Sequence, residues 1–372
     1  MKTAGNTRRP LGAAGAAMVA ALLAGVASPA LAEDGVATAQ AAVDNAMEMP
    51  SFVAPGAGFD MTKLKGKHIW IITSTLTVPF VATIAHGVET AAKAAGIQTT
   101  LFDGKGQVTE WNRGMTQAVS QNADGIVTVG ASPELMKGPT AQALKAKIPV
   151  VDTLTADKTA PLVPGTFAHV SISFYQSGQL QADYVIAKSN GDAHVLILGD
   201  NEFPGEVSRV EGMQHEFSTL CPKCVVTVQD TQVANLGTQL GQLTQTLLRR
   251  DPAIGWVLPT YDAQAIYVVP AIKQANFDRP VSVVSSDAVP SNLDWVRQGN
   301  VQVADVGEPE TWAGYAALDE VARGMLGMPA VDEQIPLRLF TADNLKGISN
   351  DENALFGGDF ASAYMKLWGL QQ

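Results

Sequence analysis

The chain has 372 residues, 46% of them hydrophobic, and a formal charge of −11 at pH 7. That acidic balance argues against nucleic acid or an anionic membrane surface as a partner. The length suits two domains of about 150 residues each, and the apolar content is ample for two cores.

The first 32 residues read as an export signal. Lys2, Arg8 and Arg9 form a basic region, Leu11 to Ala27 an apolar Ala-rich core, and Ala30-Leu31-Ala32 a small-residue cleavage site. The apolar run is short and Gly-rich for a membrane anchor. Cleavage is expected after Ala32, which removes three basic residues and no acidic ones and takes the charge to −14. Thr7-Arg8-Arg9-Pro10-Leu11 also resembles a twin-arginine signal, and the export route stays open. There is no Cys near the cleavage site to carry a lipid, so an untethered periplasmic protein is expected.

Residues 33–62 read as an N-terminal extension, with a short helix at Ala37 to Asn45. An alternation of apolar runs and helical stretches follows. Strands are expected at 68–73, 97–102, 125–129 and 148–152, with helices at 80–95, 108–122 and 134–146. A second series has strands at 193–199, 225–229, 254–258, 281–285 and 301–306. Its helices fall at 175–189, 205–219, 236–250, 263–275, 291–298 and 310–326, and a late strand at 335–340. Continuous apolar strands separated by helices predict the α/β class, as two doubly wound parallel-sheet lobes.

Cys221 and Cys224 are the only cysteines. In an oxidising compartment they predict a short disulfide. A redox pair would want the first Cys at a helix N-terminus; here the pair follows a helical stretch and precedes a strand.

In open parallel sheets a ligand sits beyond the carboxyl ends of the strands. The βα loops there are rich in aromatics, carboxylates and hydroxyls, which suits a neutral polyol or sugar-like ligand. The phosphate loop, the nucleophile elbow, the zinc helix and the dinucleotide glycine pattern are all missing. The five histidines are scattered, and His68, His169 and His194, beside strands, read as structural. Binding without catalysis, metal or cofactor is therefore expected.

Several segments, taken in order, resemble the type I periplasmic solute-binding proteins of ABC importers, in the ribose/galactose/xylose cluster. Val78-Pro79-Phe80 stands where that family has an Asn-Pro-Phe loop. Phe102-Asp103-Gly104 and Ile148-Pro149-Val150-Val151-Asp152 match its second and fourth strand ends. Tyr261-Asp262, Ser285-Ser286-Asp287 and Asp305-Val306-Gly307-Glu308-Pro309 match its later ligand loops.

The resemblance implies two lobes joined by a three-crossing hinge, near 170–173, 307–309 and 329–336. The first lobe would be 63–170 plus 309–333, the second 171–308 plus 334–345, with 346–372 a tail packing on a lobe. It implies a small-molecule ligand, closure of the hinge over it, and a permease in the inner membrane as partner; a monomer is expected. Phe80 looks like the stacking aromatic, Tyr261 and Asp262 like a polar ligand residue and its neighbour, Asp287 like the carboxylate that accepts from ligand hydroxyls, and Glu308 like the hinge polar residue. Thr75, Trp111, Ser132, Asp152 and Phe203, on the remaining loops, complete the candidate set. Asp262 could instead cap a helix, and Trp111 could contact the site only from its rim.

Two departures point away from ribose. Leu154-Thr155 stands where the family has Asp-Arg or Asn, and Val207 where a binding Arg is common, with Arg209 one step further round. A smaller polyol, a deoxy compound or something less polar than ribose is expected. The alternative roles are a sensor that presents its ligand to a receptor kinase or chemoreceptor, and an exported enzyme.

Overall fold

The computed structural model describes residues 29–370, with side chains from residue 34. The expected signal segment lies outside them up to residue 28; residues 29–32 already belong to helix α1 (Pro29–Met47).

The first sheet takes shape over β1 (His68–Thr73), α2 (Pro79–Ala94), β2 (Gln98–Asp103), α3 (Val108–Ser120), β3 (Gly125–Val129), α4 (Lys137–Lys145), β4 (Val150–Thr153) and β5 (Ala168–Val170). Its order is β2-β1-β3-β4-β5, with every pairing parallel. Ile69 to Thr73 are all buried, because helices cover both faces of the sheet.

The second sheet follows: α5 (Phe174–Lys188), β6 (His194–Asp200), α6 (Pro204–Leu220), β7 (Val225–Thr231), α7 (Gly241–Arg250), β8 (Trp256–Pro259), α8 (Asp262–Ala275), β9 (Ser282–Asp287), α9 (Pro290–Gln298) and β10 (Gln302–Gly307). The chain then returns to the first lobe as α10 (Glu310–Met325), which packs on α2. It comes back again as β11 (Arg338–Thr341), antiparallel to β10 at the sheet edge. The order is β11-β10-β9-β8-β6-β7. The expected α/β class and two-sheet arrangement hold.

Several local readings change: the helix expected over 236–250 opens with a π turn (Leu236–Leu240), and the strand expected at 335–340 lies at Arg338–Thr341. β5 was not expected as a strand; three residues are too few to show a period. The helix expected over 134–146 starts as a 3₁₀ turn (Pro133–Met136) and becomes α-helical only from Lys137. α1 is longer than 37–45, because its apolar face is held by another element. Ala39 and Val43 are buried in a core with Val185, Ile186 and Phe217 of the second lobe.

The tail forms α11 (Glu352–Phe356) and α12 (Phe360–Leu367). Leu355 and Phe356 join a second-lobe core with Leu293 and Phe340. Phe360, Tyr364 and Trp368 join the first-lobe core with Trp312 and Tyr315. Phe52, ahead of β1, packs against Trp312 and Tyr364 at ring distances of 5.3 and 5.2 Å. Both terminal segments thus run from one lobe to the other, and Trp312 is a packing residue.

Cys221 caps the C-terminus of α6 and is bonded to Cys224, with Cα atoms 5.3 Å apart. No helix among the described residues is long and apolar enough to cross a membrane.

Candidate ligand-binding cleft

The second-lobe half of the site is organised by Arg209, in the second turn of α6. Its side chain is 0% exposed. Two glycines put it there. A Cβ on Gly178 would meet the Arg209 carbonyl oxygen at 1.9 Å, and one on Gly212 would meet the Tyr175 carbonyl oxygen at 2.0 Å. Only bare backbone lets α5 and α6 approach this closely.

The Arg209 guanidinium lies over the Phe174 ring at 4.9 Å. Its Nη1 donates to Glu206 at 3.2 Å and to the Thr260 carbonyl. Nη2 donates to Glu308 Oε1 at 3.3 Å, and Asp287 Oδ1 lies 3.6 Å from Nη1. One cation thus faces three buried carboxylates. Burial pushes all three acids up, against the pull of Arg209, and Glu308 reaches about 8. Arg209 Nε and Glu308 Oε2 have no hydrogen-bond partner among the described residues.

Asp287 sits at φ 115° and Ala288 at 65°, a backbone that L side chains rarely adopt. Two further carboxylates hold it. Asp262 accepts from Val289 N at 2.8 Å and Asp305 from Ala288 N at 2.9 Å, and the Ser285 hydroxyl lies within hydrogen-bond reach of both carboxylates. Asp262 is thus spent behind the loop rather than displayed on it. Nor is it a helix cap: that place belongs to Tyr261, whose hydroxyl donates to Asp200 at 2.7 Å. Burial raises Asp200 to about 6.

In the first lobe Asp152 lies on β4 between Thr128 on β3 and His169 on β5, its cross-strand partners. It accepts from the Thr155 and Thr128 hydroxyls, and burial pushes it up while His169 pulls it down. These residues open into a cavity of about 140 Å³. Ser132, Asp152, Thr155, Thr166 and His169 line it from the first lobe, and Pro204, at the start of α6, from the second. Gly205 N donates to the Thr155 carbonyl at 3.3 Å across the same gap.

The structure therefore gathers Tyr261, Asp287 and Glu308 around or beside the Arg209 cluster, and Ser132 and Asp152 around the cavity. Phe203 is half-buried, one residue before Pro204. Thr75, Phe80 and Trp111 line neither. The Thr75 hydroxyl pairs with that of Thr77 at 3.0 Å, and Phe80 is half-buried against the first-lobe core. Trp111 is buried, and its Nε1 donates to the Ser74 carbonyl at 3.0 Å. Sequence reasoning missed Glu206, His169 and the central place of Arg209. The i,i+3 spacing of Glu206 and Arg209 was the available signal. Among the described residues no group of three or more His, Cys, Asp or Glu is placed to hold a metal.

These acids set a pH dependence. Glu308 and Asp183 are raised to about 8, Glu320 to about 7 and Asp200 to about 6. A raised acid binds its proton more tightly in the folded state. Its contribution is full below the unfolded value, about 4, and is lost as pH rises through the folded value. The melting temperature of the unliganded protein should therefore fall from pH 5 to pH 9. A profile flat or rising over that span would contradict the burial of these groups.

Two doubly wound lobes, with polar side chains converging from both on the gap at their strand ends, define a binding protein of the type I periplasmic class. The chain belongs to the periplasmic binding protein domain family, which matches residues 69–326. No curated protein matches it. Among solved structures it resembles an ABC sugar transporter subunit from Rhodobacter sphaeroides (17% identity, TM-score 0.68, covering 75% of this chain and 99% of that one). It also resembles an ABC transporter solute-binding protein from Bacillus halodurans with bound myo-inositol (20%, 0.68, 76% and 96%). A third, from Agrobacterium vitis with bound allitol, gives 17%, 0.67, 76% and 98%. At these identities the likeness is one of fold.

Proposed function

We propose that the protein is a periplasmic solute-binding protein, exported through a signal peptide cleaved after Ala32. It captures a small neutral sugar, polyol or related compound by hinge closure and delivers it to the permease of an ABC importer. The observation that carries this reading is the cavity between the lobes, lined by hydroxyls, a carboxylate and an imidazole of the first and by Pro204 of the second. A ligand held there contacts both lobes and so favours their closed arrangement. The solute-binding proteins of like fold with myo-inositol and allitol bound support the ligand class.

A thermal-shift panel of sugars and polyols tests the proposal. A ligand present at a hundred times its Kd should stabilise the protein by about 2.7 kcal/mol. The Asp287→Asn variant should bind it at least tenfold more weakly. Asn tolerates a positive φ as Asp does, so the unliganded melting temperature should change little. If no sugar or polyol shifts the parent, the reading fails.

A further inference from the structure

We propose that the two terminal segments form a double strap beside the hinge, fastened by Arg338 and Glu352, and that this strap narrows the range over which the lobes open. The inference rests on the hinged reading of the protein but not on what the cleft binds. Both segments lie outside residues 69–326, the part that the family matches.

The first argument is connectivity. α1 is held in a second-lobe core, whereas Phe52 and Phe59 pack against the first-lobe core. Phe356 of α11 lies in a second-lobe core and Phe360 of α12 in the first-lobe core. With so few residues between them, the Cα atoms of those two phenylalanines can be at most about 14 Å apart. Among the described residues the chain thus passes between the lobes at two places besides the hinge connections that flank α5, α10 and β11.

The second is what fastens these crossings. Arg338, on β11, is buried. Its Nε and Nη2 each donate at 3.3 Å to the carbonyl of Met47, the last residue of α1, and its Nη1 donates to the carbonyl of Leu355, in α11. One guanidinium therefore serves free carbonyls at the C-termini of both helices, where a cation is favoured. Just beyond, a Cβ on Gly357 would meet the Pro50 carbonyl oxygen at 2.6 Å, so the two crossings touch. At the first lobe they are joined again: Phe59 N and Met61 N donate to the carbonyls of Leu367 and Trp368 at 2.9 and 3.0 Å.

The third is position. Glu352 of α11 accepts from Thr311 N and Trp312 N, both at 2.8 Å, in the first turn of α10. That turn directly follows the hinge connection at Glu308 and Pro309. A Cβ on Gly56 would meet Val331, in the connection from α10 to β11, at 2.9 Å. Rotation at the hinge carries α11 with the second lobe and α10 with the first, so it must break the Glu352 bonds. Bonds from helix N-terminal amides to a carboxylate are stronger than neutral ones. The strap therefore opposes opening without touching the cleft. A narrower range of opening also leaves less freedom to be lost when a ligand closes the lobes.

Distances between nitroxide labels on the full mature protein test this with no ligand present. Lys137→Cys in the first lobe and Ala234→Cys in the second put the labels at exposed positions beyond β3 and β7. The native cysteines are bonded to each other and take no label. Pulsed electron resonance should give one narrow distance distribution for the parent. Glu352→Ala should lengthen the mean by more than about 2 Å, the scale at which a domain rearrangement is recognised. Glu352→Gln, which keeps one acceptor oxygen, should lengthen it less. Arg338→Met and Phe52→Ala should also broaden the distribution toward longer distances. Leu247→Ala, in a second-lobe core that contains neither crossing, should lower the melting temperature and leave the distance unchanged. The inference is overturned if the parent distribution is already as broad as that of the strap variants. It is overturned equally if Glu352→Ala and Phe52→Ala, both folded by circular dichroism, keep the parent distance, or if Leu247→Ala spreads the lobes as they do. In each of those cases a sugar or polyol that stabilises the parent leaves the proposed function standing. Strap variants that open, in a protein that no sugar or polyol stabilises, would uphold this inference and sink that reading.

Discussion

Replacing Arg209 with methionine is expected to cost about 3–5 kcal/mol of stability at pH 8. Among the described residues the guanidinium is the only cation paired with Glu206, Asp287 and Glu308; it is fully buried, and they are buried beside it. Methionine fills much of the volume over Phe174, so the loss reports charge more than packing. Without the cation the three acids can remain buried only by taking up protons. The deficit should therefore shrink at pH 5.5, where protonation costs less, and be largest at pH 8. Urea unfolding at the two pH values checks this. An equal loss at both would mean that Arg209 acts through packing alone. The variant should also lose ligand binding, because Asp287 and Glu308 would no longer be held.

Trp368→Ala should cost about 3–5 kcal/mol. Trp368 lies in the tail, beyond the part of the chain that the family covers, yet it is 0% exposed. Its indole stacks on Tyr315 at 5.9 Å, and its Nε1 donates to Asp319 at 2.6 Å. Asp319 also accepts from Arg323, which donates in turn to the Ala57 carbonyl and lies over Phe59. The indole thus closes a network that ties both terminal segments to α10. Trp368→Phe keeps most of the packing and should lose only the bond to a carboxylate, about 1.5–3 kcal/mol. Denaturant unfolding of both variants measures the difference. If Trp368→Ala costs less than about 0.5 kcal/mol, the tail is a surface ornament.

Legibility followed the range of the interactions. β1 was plain, since five consecutive residues, Ile69 to Thr73, buried between helix layers leave a nearly continuous apolar run. β5 was not, because Ala168 to Val170 hold their place only through pairing with β4. α1 was seen as a shorter helix, because its apolar face is defined by α5 and α6, more than a hundred positions away. Asp262 was read as a ligand neighbour or a helix cap; it is instead tied to Ser285 on β9 and Val289 in the loop that follows it. Arg209 showed only as a departure from a familiar position. Its burial depends on glycines in two helices that meet in the fold.

The sequence by itself determined the α/β class and the two-sheet organisation. Those properties are written in local periodicity, where burial of each residue is set by its own strand or helix. Only the tertiary structure decided which loop residues meet. It brought Glu206, Arg209, Asp287 and Glu308 into one buried cluster, and set Asp152 and His169 beside the cavity that Pro204 closes. Hydrogen bonds and desolvation act over a few ångströms of space, so residues far apart in the chain acquire a joint chemistry only once the chain has folded.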